Sequence, residues 1–228
     1  MTGALTGNHA LPMPPSLFSP HSALAETLLV RLPDAFDGAH DLAHLVRVWR
    51  NVQAIVAVEG GDSELLLAAT LLHDGVHVPK NDLRRAQASR LAAEQARGIL
   101  ETLGWQVCRI DTVAHAIEAH SFSAGIAPQT LEARILQDAD RLDALGAVGI
   151  ARCFYTAGQM GSALYDPLDP QAITRALNDQ RFTLDHFETK LLTLREGFQT
   201  ATGQQLAHQR HARLVAFREA LLEEIGDA

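Results

Sequence analysis

The sequence predicts an all-α protein, and three observations carry that expectation. Apolar residues, mostly Ala and Leu, recur at helical spacing from residue 21 onward, and both residue types favour helices. No segment shows the sustained period-two alternation of β-branched and aromatic residues that marks strands. The breaks between apolar runs carry helix punctuation: Asp62 or Ser63 ahead of "ELLLAATLL", Gly104 after "ARGILETL", and Gly125 with Pro128 ahead of "TLEARILQ".

Taken in order, residues 1–20 contain Pro12, Pro14, Pro15 and Pro20 and read as a flexible N-terminal arm, with residues 21–228 forming one domain. Helices are expected at 21–32, at 39–59 around "LAHLVRVWRNV", and at 63–75, where the apolar run is continuous enough to mark a buried helix. Two more, at 82–103 and 105–120, meet at Gly104. A long one spans 129–158, and two close the chain at 180–199 and 203–225. Between them "GQMGSALYDPLDP", residues 158–170, is the one long irregular stretch, the kind of loop that serves as a lid or a substrate wall. Trp49, Trp105 and most of the eight Phe read as core residues, and His208 and His211 as exposed.

Composition narrows the function. The chain has 228 residues, 47% hydrophobic and 20% charged, with a net charge of −8, which disfavours a nucleic-acid backbone as partner. No run approaches the roughly 20 apolar residues of a membrane span, and the N-terminus lacks the basic and apolar regions of a secretory signal. Cys108 and Cys153 form neither a disulfide framework nor a Cys-x-x-Cys pair. A cytoplasmic location is the expectation.

Chemistry enters with the histidines. "LLLAATLLHDGVHVPK", residues 65–80, ends a buried run in His73 and Asp74, and a carboxylate placed there needs a partner. Upstream, His40 and His44 lie four apart on one helix face. Downstream, "EARILQDADRLDALGAVG" offers Asp138, Asp140 and Asp143; Asp138 points about 200° away from Asp140, whereas Asp140 and Asp143 share a face. Two His and two Asp from three helices suit a divalent cation among Mn²⁺, Mg²⁺, Fe²⁺, Co²⁺ and Zn²⁺. Asp138 and Asp143 read as caps or salt-bridge partners, and His40 and His77 as a helix-start and a loop residue.

The ordered pattern His44 … His73-Asp74 … Asp140 resembles the H…HD…D signature of the HD-domain metal-dependent phosphohydrolases. The blocks "AHDLAHLVRVW", "LLHDGVHVPKN", "HAIEAHSFSAGIAP", "QDADRLDALGAVGIAR" and "LDHFETKLLTL" are similar to the bacterial YedJ/YpgQ-like branch, over residues 38–215. The resemblance implies a helical bundle with the metal between central helices, held by His44, His73, Asp74 and Asp140. It also implies hydrolysis of a (deoxy)nucleoside triphosphate to monophosphate and pyrophosphate, with Mn²⁺ ahead of Mg²⁺, Co²⁺, Fe²⁺, Ni²⁺ or Zn²⁺. Alternatives are a phosphodiesterase or 5′-nucleotidase of the same superfamily, or a nucleotide-binding regulatory module. Asp74, His115 and His120 are expected in water orientation and proton transfer. Arg47, Lys80, Arg85, His186 and Lys190 are expected at the substrate, and a homodimer is the expected assembly if one forms.

Overall fold

The computed structural model describes residues 14–32, 42–76, 87–121 and 124–226. Its helices are α1 (Ser22–Leu29), α2 (Leu42–Glu59), α3 (Ser63–Leu72), α4 (Ala88–Thr102), α5 (Val107–His120), α6 (Leu131–Asp143), α7 (Gly146–Met160), the short α8 (Thr183–His186) and α9 (Ala201–Glu224). Among the described residues there is no strand, only an isolated bridge between Ala163 and Phe182. None of the described helices is long and apolar enough to cross a membrane.

α3 is the centre. Leu65 through Leu72 are all buried, so the helix has no polar face and every side must be covered. α1, α2, α5 and α6 pack around it, and α5 lies against both α4 and α6. Asp62 caps α3 by accepting the Glu64 and Leu65 N–H groups at 3.0 and 3.1 Å, which fixes where the helix begins and therefore where His73 ends it. The arm expected over residues 1–20 is packed at its end. Pro15–Phe18 forms a 3₁₀ turn, Phe18 is fully buried, and the Ser19 carbonyl accepts from Trp49 Nε1 and Gln53 Nε2.

Two expected helices are interrupted. The run expected at 129–158 splits after Asp143. Gly146 adopts φ +69°, open to glycine and strained for other residues. A Cβ on Gly149 would lie 2.2 Å from the Ala144 carbonyl oxygen, so the start of α7 comes closer to the end of α6 than any side chain permits. The run expected at 180–199 survives only as α8 and a π-turn, Phe187–Leu191, in which Leu192 N–H reaches the Phe187 carbonyl. Arg141 ends it by taking three carbonyls, Leu194, Glu196 and Gly197, at 3.2, 2.6 and 3.0 Å. Asp138, one turn earlier on α6, accepts the Gln199 and Thr200 N–H groups and the Thr200 hydroxyl. Thr200 in turn caps α9 through Gly203 N–H.

The irregular stretch expected at 158–170 runs on to residue 182 and is cross-braced. Arg175 grips Asp185 with two donors, at 2.6 and 2.9 Å, and Asp185 also accepts Asn178 N–H. Asp169 accepts from Ile173 and Thr174, and Ser162 Oγ donates to the Gln180 carbonyl. It is a rigid wall.

Candidate active site

Four elements deliver side chains to one point. His44 comes from the start of α2, His73 and Asp74 from the end of α3, His120 from the last residue of α5, and Asp140 from α6. His44 Nε2 lies 3.4 Å from His73 Nε2 and 3.4 Å from Asp140 Oδ1. His73 Nε2 lies 3.4 Å from Asp74 Oδ2 and 3.8 Å from Asp140 Oδ1. Both imidazoles are about 1% exposed, whereas Asp74 and Asp140 are 36% and 27% exposed; the histidines form the floor and the carboxylates the rim.

The hydrogen bonds behind these rings decide which nitrogen is available. His73 Nδ1 donates to the Thr70 carbonyl at 2.8 Å, and His120 Nδ1 to the Ile117 carbonyl at 2.5 Å. His44 Nδ1 donates to Asp143 Oδ2 at 2.7 Å. All three Nε2 atoms therefore turn lone pairs inward. Lone pairs and carboxylate oxygens converging in this way repel unless a proton or a metal cation joins them. Their 3.4–3.8 Å separations exceed the about 3.0 Å between neighbouring octahedral donors and begin at the about 3.4 Å between tetrahedral ones, for bonds of about 2.1 Å. The donor set fits a divalent ion. His44, His73 and Asp140 form one triad able to hold a metal, and His73, Asp74 and His120 a second.

Electrostatics agree with that geometry. Burial opposes the charged form of His73, but Asp74 and then Asp140 outweigh it and raise its pKa. His120 moves the other way: burial, then the nearby His73, lower its pKa, so its imidazole is neutral at pH 7. Asp143 sits behind His44, 1% exposed. It accepts from His44, from Arg47 Nε and Nη2 at 2.6 and 3.0 Å, and from Arg152 Nη1 at 2.7 Å. Burial works against this carboxylate, but the His44 and Arg47 donors overcome it and hold the carboxyl far below its ordinary range. Asp143 thus holds the Nδ1 edge of the His44 imidazole, and Asp140, one turn earlier on α6, faces its Nε2 edge.

The cluster opens into a cavity of ≈ 350 Å³ whose walls include Ser89, Ser121, Arg141, Arg152 and Lys190. Lys190, expected from the sequence at the substrate, lines this cavity. Arg47 does not: it is bound to Asp143 behind His44 and is absent from the cavity lining. His115 is likewise turned away, accepting Gln129 N–H through Nε2 at 2.9 Å; five helical steps rotate it about 140° from His120, so one helix cannot aim both at the same point. His186 pairs with Asp179 at 3.1 Å and lines a neighbouring cavity. Lys80, Arg84, Arg85, His40 and His77 lie outside the described residues.

The HD-domain family model matches residues 41–145, the span from α2 to the end of α6 that holds the whole cluster. Protein YpgQ of Bacillus subtilis is 33% identical over 190 residues, 82% of this chain and 84% of that protein. The chain belongs to the HD-domain superfamily, in its YpgQ-like branch. A crystal structure of an HD-superfamily hydrolase from Bacillus thuringiensis superimposes with a TM-score of 0.69 at 29% identity, covering 90% of this chain and 98% of that one. YpgQ crystallised with ADP gives a TM-score of 0.63 at 33% identity, covering 81% and 86%. As a member of this HD superfamily the chain is a metal-dependent phosphohydrolase.

Sequence reasoning did not single out Arg152, nor Arg141, Ser89 or Ser121, which also line the cavity. Arg152 lines the cavity, yet nothing in "GAVGIAR" announces it until the chain reverses at Gly146. The usable signal is its spacing on α7: three residues after Gly149, it falls on the face that packs back toward α6.

Proposed function

We propose that the chain is a (deoxy)nucleoside triphosphate pyrophosphohydrolase whose metal is held by His44, His73, Asp74 and Asp140, with Mn²⁺ as the leading ion. The single observation that carries the reading is the inward-facing set of Nε2 and carboxylate atoms at 3.4–3.8 Å on the floor of a cavity walled by cations. That YpgQ was crystallised with ADP supports a nucleotide rather than a simple phosphate ester.

When bound there, a divalent cation supplies Lewis acidity, lowering the pKa of a water and polarising a phosphoryl oxygen. Asp74 would orient the attacking water; the 3.9 Å between its second oxygen, Oδ1, and His120 Nε2 supports that role. His120, neutral and with Nδ1 committed to Ile117, can take a proton on Nε2. Lys190 and Arg152 line the cavity as cations that offset charge accumulating on the phosphoryl oxygens. Lys80 and Arg85 remain proposed phosphate contacts from the resemblance alone.

The second triad, His73, Asp74 and His120, favours one other reading, a two-ion phosphodiesterase or 5′-nucleotidase. Product identity separates the two. Incubation with a nucleotide panel and Mn²⁺ should release pyrophosphate and a monophosphate, and His73→Ala should abolish the release. Inorganic phosphate as the sole phosphorus-containing leaving product, or turnover surviving His73→Ala, contradicts the proposal.

A further inference from the structure

The C-terminal helix α9 lies beyond the matched residues 41–145, yet it is fastened at two points to α2, the helix that carries His44. The Glu59 carboxylate, at the end of α2, accepts the Thr202 N–H and hydroxyl at 2.8 and 3.0 Å. Further back along α2, Asn51 Oδ1 accepts from Arg210 Nη2 at 2.7 Å. Asn51 and Glu59 are eight residues apart, as are Thr202 and Arg210, about 12 Å along either helix. The two helices therefore run antiparallel, with their polar contacts in register.

The contact at Arg210 leads on to the metal cluster. Asn51 is buried, and its Nδ2 donates to the Ala139 carbonyl at 2.8 Å. Arg210 Nη1 donates to the Leu142 carbonyl, in the last turn of α6, where the helix dipole favours a cation. Ala139 and Leu142 immediately precede Asp140 and Asp143, the acids on either side of the His44 ring. Asn51 lies two turns after His44, on the same face of α2. Gly146 lets α9 come this close: a Cβ there would lie 3.2 Å from Arg210 Cβ and 3.3 Å from its Cγ. Burial lowers the Arg210 pKa and the nearby Asp143 charge works against that shift, so the guanidinium stays charged at pH 7.

We propose that Arg210 is a positioning residue for the metal centre. By tying Asn51 of α2 to the last turn of α6, it sets the span between His44 and the two acids that face it. The metal centre is therefore completed from outside the segment that supplies its ligands. The proposal rests on the ligand set proposed above.

The test compares the two fastenings in the full-length protein. Arg210→Met keeps the stem against Gly146 and removes the donors. Glu59→Ala cuts the distant fastening and serves as the structural control. Both should lower the melting temperature of the metal-free protein. Only Arg210→Met should weaken Mn²⁺ binding, by about tenfold in chelator competition below the melting transition, as expected for an outer partner. It should also shift the visible absorption bands of the Co²⁺-loaded protein, which report coordination geometry. Glu59→Ala should keep Mn²⁺ affinity within about twofold and leave those bands in place. Arg210→Lys retains charge and stem but cannot reach both acceptors with a fork, so it should recover part of the affinity and still bind about threefold more weakly than wild type.

A folded Arg210→Met protein with wild-type Mn²⁺ affinity and Co²⁺ spectrum overturns the assignment. So does an equal loss in Glu59→Ala, which would reduce α9 to a general support. Should Arg210→Met fail to fold, Arg210→Lys decides: unchanged affinity there overturns the assignment, and the threefold loss upholds it. A wild-type protein that binds neither Mn²⁺ nor Co²⁺ contradicts the ligand set itself, and the positioning role with it. Wild-type binding with an unresponsive Arg210 contradicts the positioning role alone.

Discussion

Asp143→Asn is the most informative single substitution, because one carboxylate joins the fold to the metal centre. Its oxygens take four donors: His44 Nδ1, two from Arg47 and one from Arg152. Charge-assisted bonds of this kind contribute about 1.5–3 kcal/mol each in isolation, but three corrections shrink the sum. Arg47 and Arg152 remain 29% and 20% exposed, so water recovers part of their solvation. Asparagine keeps one acceptor oxygen, and bonds sharing one group do not add. About 3 kcal/mol remains, which for a chain of this length lowers the melting temperature by about 6–12 °C. Loss of the His44 Nδ1 acceptor also frees the ring to rotate, and disturbing such an outer partner costs about 10- to 100-fold in metal affinity. Thermal unfolding of the metal-free protein and chelator competition for Mn²⁺ measure the two effects separately. A variant that melts within about 1 °C of wild type and holds Mn²⁺ equally well would refute the reasoning.

Other consequences follow from single contacts. A Cβ on Gly203 would sit 2.4 Å from Asp138 Oδ2 and 2.7 Å from Thr200 Oγ1, so Gly203→Ala should destabilise by about 2 kcal/mol or more in urea titration. Gly98, inside α4 with nothing within 4 Å, should gain about 0.5–1 kcal/mol on replacement by Ala; a loss there would refute the open-space reading. The Asp185 carboxyl is held below its ordinary pKa because, against the opposing effect of burial, Arg175 and Asn178 N–H favour the ionised form. A depressed acid stabilises above its unfolded pKa of about 3.9 and loses that contribution as pH falls through the folded value. Asp185→Asn should therefore destabilise at pH 7 and flatten the fall in stability below about pH 4; parallel acid curves for the two proteins would contradict it. His120→Gln should lower turnover about 10²-fold or more with Mn²⁺ affinity little changed, since His120 is proposed to move a proton; unchanged turnover would remove it from the chemistry.

What the sequence made legible was whatever depends on local spacing. α3 could be read because an unbroken apolar run of that length can only be buried, and His73 and Asp74 because such a run ends in groups that need a partner. Asp140 and Asp143 share a face, and Asp138 faces away, as helical geometry alone requires; the structure uses all three in those directions. What stayed hidden depends on contacts far along the chain. Arg141 ends a helix by reaching carbonyls 53–56 residues away. Gly149 matters because of where Ala144 comes to lie. Arg47, His115 and His186 have the right chemistry for a phosphate site, but Asp143, Gln129 and Asp179 hold them away from the metal cavity.

The central claim is that His44, His73, Asp74 and Asp140 share a cation. Anomalous diffraction at the manganese edge, from crystals of the Mn²⁺-loaded protein, tests it most directly. The account predicts a peak about 2.0–2.3 Å from His44 Nε2, His73 Nε2 and one oxygen of each carboxylate. A strong peak elsewhere, or none among these four side chains at saturating Mn²⁺, contradicts it.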